Sequence, residues 1–244
     1  MSSFVLNDCT VWLAGHDFTT DSNSLSLAVE VDEQENTTFG NGGWRSRIGG
    51  LRSASVSLEG FWQAGDASID DATFSTLGTR NEVATFTPDG DVGSVAYTMQ
   101  ATKFSYEMLG SVGEVTPFSL EASSSEGSSG LVRGLLAAAK GNVSATGAFG
   151  SPVNLGAGAA GQYLYLAFHV FSAGTTISVK VESDDAEAFT DPTDVASATV
   201  GPITTAGGMW MTRVDASSIT DTWFRVNATA CTGTFSVAAA LAIE

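Results

Sequence analysis

Two histidines, His16 and His169, are the only side chains in this 244-residue chain whose ordinary titration falls near neutral pH. A nucleophilic triad would need one of them beside a Ser or Cys, with a carboxylate behind it. Neither stands in such a setting: His16 lies in the turn-like Gly15-His16-Asp17, and His169 in the apolar run from Tyr163 to Phe171. Cys9 and Cys231 are too few for a disulfide framework or a thiolate metal cluster. The densest acidic stretch holds Asp184, Asp185, Glu187, Asp191 and Asp194, without the alternate-residue spacing of a calcium loop. It reads as a solvated acidic loop, an ion at Asp184 staying an open alternative. No P-loop, dinucleotide glycine fingerprint or HExxH occurs. The glycosylation-type triplets at Asn36, Asn142 and Asn227 are read as chance matches. Trp210 and Trp223, with Tyr163 and Tyr165, could stack on a sugar, or could pack inside a β-domain as Trp and Tyr commonly do. The expectation is no catalysis, no cofactor and no metal.

Composition narrows the remaining classes. Ten basic residues against 27 acidic ones give a net charge of -17, which argues against a face that grips nucleic-acid phosphate or anionic lipid. Residues 1–150 carry 7 basic and 18 acidic side chains, and 151–244 carry 3 and 9, so both halves are acidic. With 43% hydrophobic and 15% charged residues the chain is expected to fold. No stretch approaches the roughly 18 apolar residues of a membrane span, and the amino terminus lacks a signal-peptide pattern. A soluble protein made in a cytoplasm is expected.

The positioning elements are strands. From Ser24 to Asp32 every odd residue is apolar, the period-two mark of a strand with one wet face. Ser53 to Glu59 repeats the pattern on even residues, and Val83–Thr87 and Val95–Met108 add further strands. Within the last, apolar parity switches between Met99 and Phe104, which predicts a bulge or a corner. Thr87-Pro88-Asp89-Gly90 reads as a hairpin turn, with Gly90 taking a positive φ. Residues 68–78 read as one short surface helix, capped by Ser68, favoured by Asp66, Asp70 and Asp71 near its start, and closed by Gly78. Leu131 to Lys140 is ambiguous, since its residues favour a helix while its brevity and Gly134 do not.

Residues 33–50 form a long irregular stretch with five glycines, in which Arg45 and Arg47, followed by Arg52, flank Trp44 not far from Phe39. A loop of that length and composition reads as a contact surface. The small, Gly-rich run 141–162 reads as a domain boundary. Beyond it, Tyr163–Phe171 is apolar on both parities, a central strand covered on both faces, and 177–182, 224–229 and 235–243 complete a second small β-sandwich.

The order of alternating strand, Gly- and Arg-containing loop, alternating strand, short acidic helix, hairpin and parity-switching strand resembles the major tail tube protein of long non-contractile-tailed bacteriophages. The phrases that carry the resemblance are SLSLAVEVDEQENTTFGNGGWRSRIGGLRSASVSLEGFWQAG, DDATFSTLG and PDGDVGSVAYTMQATKFSYEMLGSVGEVTPFSLEASSSEG. LVRGLLAAAKGNVSATG, AGQYLYLAFHV and VKVESDDAEAFTDP are similar to versions that add a carboxy-terminal β-domain. The resemblance implies a mainly β fold: a tail tube β-sandwich with one flanking helix over residues 1–145, and a β-sandwich decoration domain over 146–244. It also makes Leu131 to Ala137 a strand.

That resemblance further implies a structural virion protein with six copies in a ring, strands from each joined into a β-barrel, and rings stacked into a tail tube that passes genomic DNA. Its partners would be itself, other tail proteins and the tape measure, with DNA only as transiting cargo and no membrane insertion. The loop 33–50, with Phe39, Trp44, Arg45, Arg47 and Arg52, would sit between rings, mobile alone and ordered once stacked. Glu30, Asp32, Glu59 and Glu107 are the candidates for the lumen, where acidic groups would let DNA slide; an ordinary solvated face is the other reading. The second domain would project outward toward host-surface glycan, with Trp210 and Trp223 as stacking candidates. The rival reading from another class is a virion-surface or secreted carbohydrate-binding β-sandwich module.

Overall fold

The computed structural model describes residues 9–65, 68–126, 130–211 and 213–244, with the backbone alone of Asn41. Asp66, read above as part of the helix start, lies outside the described residues. In chain order the elements are β1 (Thr10–Leu13), β2 (His16–Asp17), β3 (Ser22–Glu35), β4 (Arg47–Phe61), α1 (Ile69–Phe74), β5 (Glu82–Thr87), β6 (Val95–Met108), β7 (Pro117–Ser124) and β8 (Leu131–Val143). They continue as β9 (Gly147–Asn154), β10 (Tyr163–Ser172), β11 (Thr176–Asp184), β12 (Thr193–Ile203), β13 (Gly207–Trp210), β14 (Val214–Asp215), β15 (Trp223–Thr232) and β16 (Phe235–Ile243). The fold is mainly β, as the alternation predicts. No helix among the described residues is long and apolar enough to cross a membrane.

Two compact units emerge, and they interleave in sequence: unit 1 is 1–21, 82–100 and 132–244, and unit 2 is 22–81 and 101–131. The boundary expected at 145/146 therefore falls inside unit 1, between β8 and β9. Unit 1 is a sandwich. One sheet runs β13-β10-β16-β8-β6-β5-β1-β2, and the second runs β12-β11-β15-β9. Leu164, Leu166, Phe168 and Val170 of β10 and Val237 and Leu241 of β16 meet Ile177, Val179, Val181, Phe224 and Val226 of the second sheet in one buried cluster. Each such side chain stabilises the fold by about 1.5–3 kcal/mol through removal from water. The other parity of β10 is buried too: Tyr165 with Val132 and Ala242, and Ala167 and His169 further along. The two-sided apolar run thus is a central strand, hydrogen-bonded to β16 on one edge and β13 on the other.

Leu131 to Lys140 lies in β8, so Leu131 to Ala137 is the strand that the resemblance implies, against its helical propensity. Its internal glycine has a packing cause: a Cβ at Gly134 would collide with the carbonyl oxygen of Leu241 and stand 2.6 Å from the Ala242 Cβ.

Unit 2 is the sheet β3-β4-β7-β6 with α1. The parity switch in β6 coincides with a register shift between Lys103 and Ser105 against β7, the bulge the sequence predicts. Three expectations need correction. The helix ends at Phe74, because Ser75 and Thr76 turn their hydroxyls back onto the carbonyls of Asp71 (3.2 Å) and Ala72 (2.8 Å), which competes with helix continuation. Ser68 precedes it without a side-chain cap, its hydroxyl donating instead to the Gly65 carbonyl at 2.8 Å. In the turn after Thr87 the positive φ belongs to Gly93 (89°), not Gly90.

Replacing Gly134 by Ala should lower the urea-unfolding free energy by about 1–3 kcal/mol, the usual range for overpacking. Unchanged stability would show that β8 and β16 approach less closely than described.

Candidate functional site

In an antiparallel sheet, residues opposite one another point to the same side. The register of unit 2 therefore sorts its side chains by row. Glu107 pairs with Ser119, Ser119 with Glu59 and Glu59 with Ser24. The next row is Ser105, Glu121, Ser57 and Ser26, followed by Thr102, Ser123, Ser55 and Ala28, and then Ser53 with Glu30. One face is thus built almost wholly of Ser and Glu, and Glu30, Glu59, Glu107 and Glu121 are all exposed. The alternation of β3 carries Asp32 to the same side, beside Gly50, whose added Cβ would lie 3.0 Å from the Asp32 Cβ. All four acidic candidates from the sequence share this face. Glu121 was not singled out, because only the partner strand's register reveals it.

Cations are excluded from these rows. Lys103 pairs with Ala122 and so belongs to the apolar face, where it is 1% exposed. Its ammonium donates to the Ala72 carbonyl at 3.0 Å and to the Thr76 hydroxyl. Arg52 pairs with Val31, on the side opposite Glu30. The apolar face carries Leu58, Leu120, Val56 and Ala122, all buried. Asp70 ties the helix down, accepting from the Trp62 indole at 3.1 Å and the Tyr106 hydroxyl at 3.2 Å. Partial burial and that neighbouring carboxylate push the Tyr106 phenol well above its ordinary range.

The stretch 33–50 is less irregular than its composition predicts. β3 and β4 stay paired out to Glu35 opposite Arg47, leaving a turn of 36–46 with one 3-10 turn at Phe39–Asn41. Cross-strand ion pairs, Arg47 to Glu33 at 2.8 Å and Arg45 to Glu35 at 4.0 Å, reconcile the clustered charges with strand structure. β7 accompanies β4 only as far as Ser55, so Val29–Glu35 and Arg47–Ser53 make a two-stranded arm, exposed on both faces. At about 3.3 Å per residue it is roughly 23 Å long. Phe39 and Trp44 at its tip are 109% and 82% exposed.

The other candidates lie in unit 1. Trp210 stands on β13, its ring 6.0 Å from that of Tyr165, and Trp223 stands on β15 of the other sheet, so the two do not form one stacking platform. Asp184 closes its own loop, accepting the Ala186 amide at 2.9 Å and the Asp191 amide at 3.0 Å, which hold its carboxyl below the usual range. No group of three or more metal-ligating side chains occurs among the described residues. Both cysteines are free. A cleft of about 640 Å³ is lined by Asp194, Arg213, Asp215, Asp221 and Val195 among others. Its carboxylates are engaged locally: Asp221 accepts the Ser183 hydroxyl at 2.6 Å, Asp215 the Ser217 amide at 2.8 Å, and Asp194 pairs with Lys180. On the neighbouring strands Glu182 binds Lys180 at 2.9 Å and Arg225 at 2.8 Å.

His16 stacks on Phe18 at 6.0 Å between ring centroids. His169 is 0% exposed, with Nε2 hydrogen-bonded to the Thr85 hydroxyl at 2.8 Å and Nδ1 without a partner. Trp12 and Phe171 pack around it at 5.7 and 6.1 Å. It is a core residue.

No family model matches the chain. No curated protein matches it either. Among solved structures it is similar to a chain of "Virion of native gene transfer agent (GTA) particle", with 20% identity over 49% of this chain and 92% of that one, at a TM-score of 0.39. A chain of "Cryo-EM structure of the anti-feeding prophage (AFP) baseplate, 6-fold symmetrised" matches at 13% identity over 50% and 92%, TM-score 0.38. The SPP1 Dit protein, described as a "Hub Adsorption Apparatus in Gram-positive Infecting Phages", matches at 11% over 97% and 99%, TM-score 0.35. The proteins found are thus from virions, a baseplate and a hub. TM-scores below 0.5 assign this chain neither a fold family nor a role.

Burial lowers the His169 pKa from 6.5 to about 3, the charge of Asp17 opposing that shift more weakly. The folded protein therefore binds fewer protons than the unfolded chain, and stability present above pH 6.5 drains as pH falls toward 3, by about 1.4 kcal/mol per unit. Between pH 6.5 and 5 the wild type should lose about 2 kcal/mol of urea-unfolding free energy that His169→Gln does not lose. Equal losses would mean that the imidazole takes up its proton without unfolding.

Proposed function

We propose that this chain is a structural subunit of a phage tail tube: six copies close into a ring, rings stack, and DNA crosses the lumen without being held. The observation that carries this reading is the Ser and Glu face of β3-β4-β7-β6, which has four exposed glutamates and no Lys or Arg in its paired rows. Duplex DNA bears about one negative charge per 1.7 Å of axis, so a cationic wall would retain it and an acidic wall repels it. Serines between the acids keep the surface wet and present no apolar contact to the bases.

The sheet edge supports the same reading. Among the described residues β3 has one neighbour, β4, along 14 residues, leaving its other row of amides and carbonyls without a strand. A long open edge of that kind invites pairing with another chain. Joining copies edge to edge removes it, and four strands from each of six copies exceed the roughly 16–18-stranded barrels that already enclose an aqueous channel. Residues 146–244 then serve as a decoration domain, the protein resides in the virion tail beside the tape measure, and no reaction is catalysed.

Electron microscopy of the concentrated protein should show stacked hollow rings, whereas monodisperse monomers at all concentrations would refute the assignment. Particles carrying Glu59→Lys with Glu107→Lys should still assemble but deliver DNA at least several-fold more slowly, measured as ejection kinetics. Normal kinetics would remove this face from the lumen. Deleting 39–43 should leave a folded monomer, with unchanged circular dichroism, that no longer grows tubes.

A further inference from the structure

The strand register places two turns at opposite ends of unit 2. β3 and β4 meet at 36–46, and β6 and β7 meet at 109–116, beside the Phe61 end of β4. Both ends are apolar and exposed. Phe39 and Trp44 crown the first, while Leu109, Val112 and Val115 at the second are 64%, 106% and 70% exposed. Apolar groups clustered at a turn without cover mark a contact surface rather than ordinary scatter. Each turn also holds a single charged residue, of opposite sign: Arg45 in 36–46 and Glu114 in 109–116. Arg45 is loosely held by Glu35 at 4.0 Å, with both side chains at least half exposed.

We infer that the arm tip of one copy docks on the β6–β7 turn of the copy stacked above or below it, Trp44 and Phe39 lying on Val112, Val115 and Leu109, and Arg45 meeting Glu114. This rests on the tube reading and names the surfaces that join its rings. The two surfaces differ, so the contact is heterologous, and because they lie at opposite ends of one sheet each copy keeps a free tip after docking and a free turn to receive the next. The apolar residues supply the attraction, with Trp as the anchor expected of an interface centre, and the opposite charges set register and polarity. A tip whose only charge is positive, meeting a turn whose only charge is negative, also disfavours tip-to-tip and turn-to-turn pairing, which gives the filament one direction.

A charge swap in the full chain tests it. Arg45→Glu and Glu114→Arg should each reduce sedimentable tubes at least ten-fold while rings remain visible by electron microscopy. The double variant should recover to within about three-fold of wild type. Singles without effect, or a double no better than either single, overturn the pairing while leaving the tube reading intact. A wild-type chain that forms neither rings nor tubes overturns both. Thermal melts within a few degrees of wild type establish that the singles are folded. Should they fall outside that range, Trp44→Cys with Val112→Cys decides instead: an oxidised link between differently isotope-labelled chains in assembled tubes supports the contact, and its absence in such tubes removes it.

Discussion

Paired antiparallel strands must send opposite residues to the same side, and in unit 2 that single geometric requirement sorts the charges. Five serines and an alanine on β3 and β4 would be unremarkable separately; locked in register with β7 and β6 they become rows in which glutamate recurs and no cation does. The bulge between Lys103 and Ser105 is part of the same device. It shifts β6 by one residue, so that Lys103 turns inward to the Ala72 carbonyl while Ser105 and Glu107 turn to the acidic side. Without the shift, one set or the other would face wrongly. Burying a lysine is costly unless its donors are met, and here the carbonyl and the Thr76 hydroxyl left by the short helix meet them.

Unit 1 solves a different problem by ordinary means. Its two sheets bury aliphatic and aromatic side chains against each other, and the reverse face of β10 is sealed by Trp12, Tyr165, His169 and Phe171. Polar groups are paired where they are trapped, as with Glu182 between Lys180, Arg225 and Asn227. The guanidinium of Arg225 also lies 4.3 Å over the ring of Phe189, so its stem and charge serve two contacts.

Much of this was legible in the sequence because it is local. The alternation of Ser24–Asp32, the two-sided apolar run at Tyr163–Phe171 and the parity change in 95–108 each reflect a period that a strand imposes on its own residues. What escaped is set by partners distant in the chain. Glu121 joins the acidic face only through its register with Ser57 and Ser105. The glycines and charges of 33–50 suggest irregular backbone until Glu35 is seen opposite Arg47, with Glu33 and Glu35 ion-paired to Arg47 and Arg45. Gly134 reads as a helix flaw, whereas its cause is the backbone of Leu241, more than a hundred residues on. The interleaving of the two units is likewise invisible locally, since nothing in 82–100 announces that it packs with 132–244.

That interleaving bears on how the chain is made. Every segment of unit 2 has left the ribosome once residue 131 is free, so it can collapse while synthesis continues. Unit 1 must wait: β16 lies between β8 and β10 in its sheet, and it is the latest of these strands to be translated. During that interval β8 and β10 are nascent ribbons awaiting a missing rung. The half with the open β3 edge is thus available first and the two-sheet half later, a birth order in which a holdase guarding the emerging edge of β3 would have the most to do.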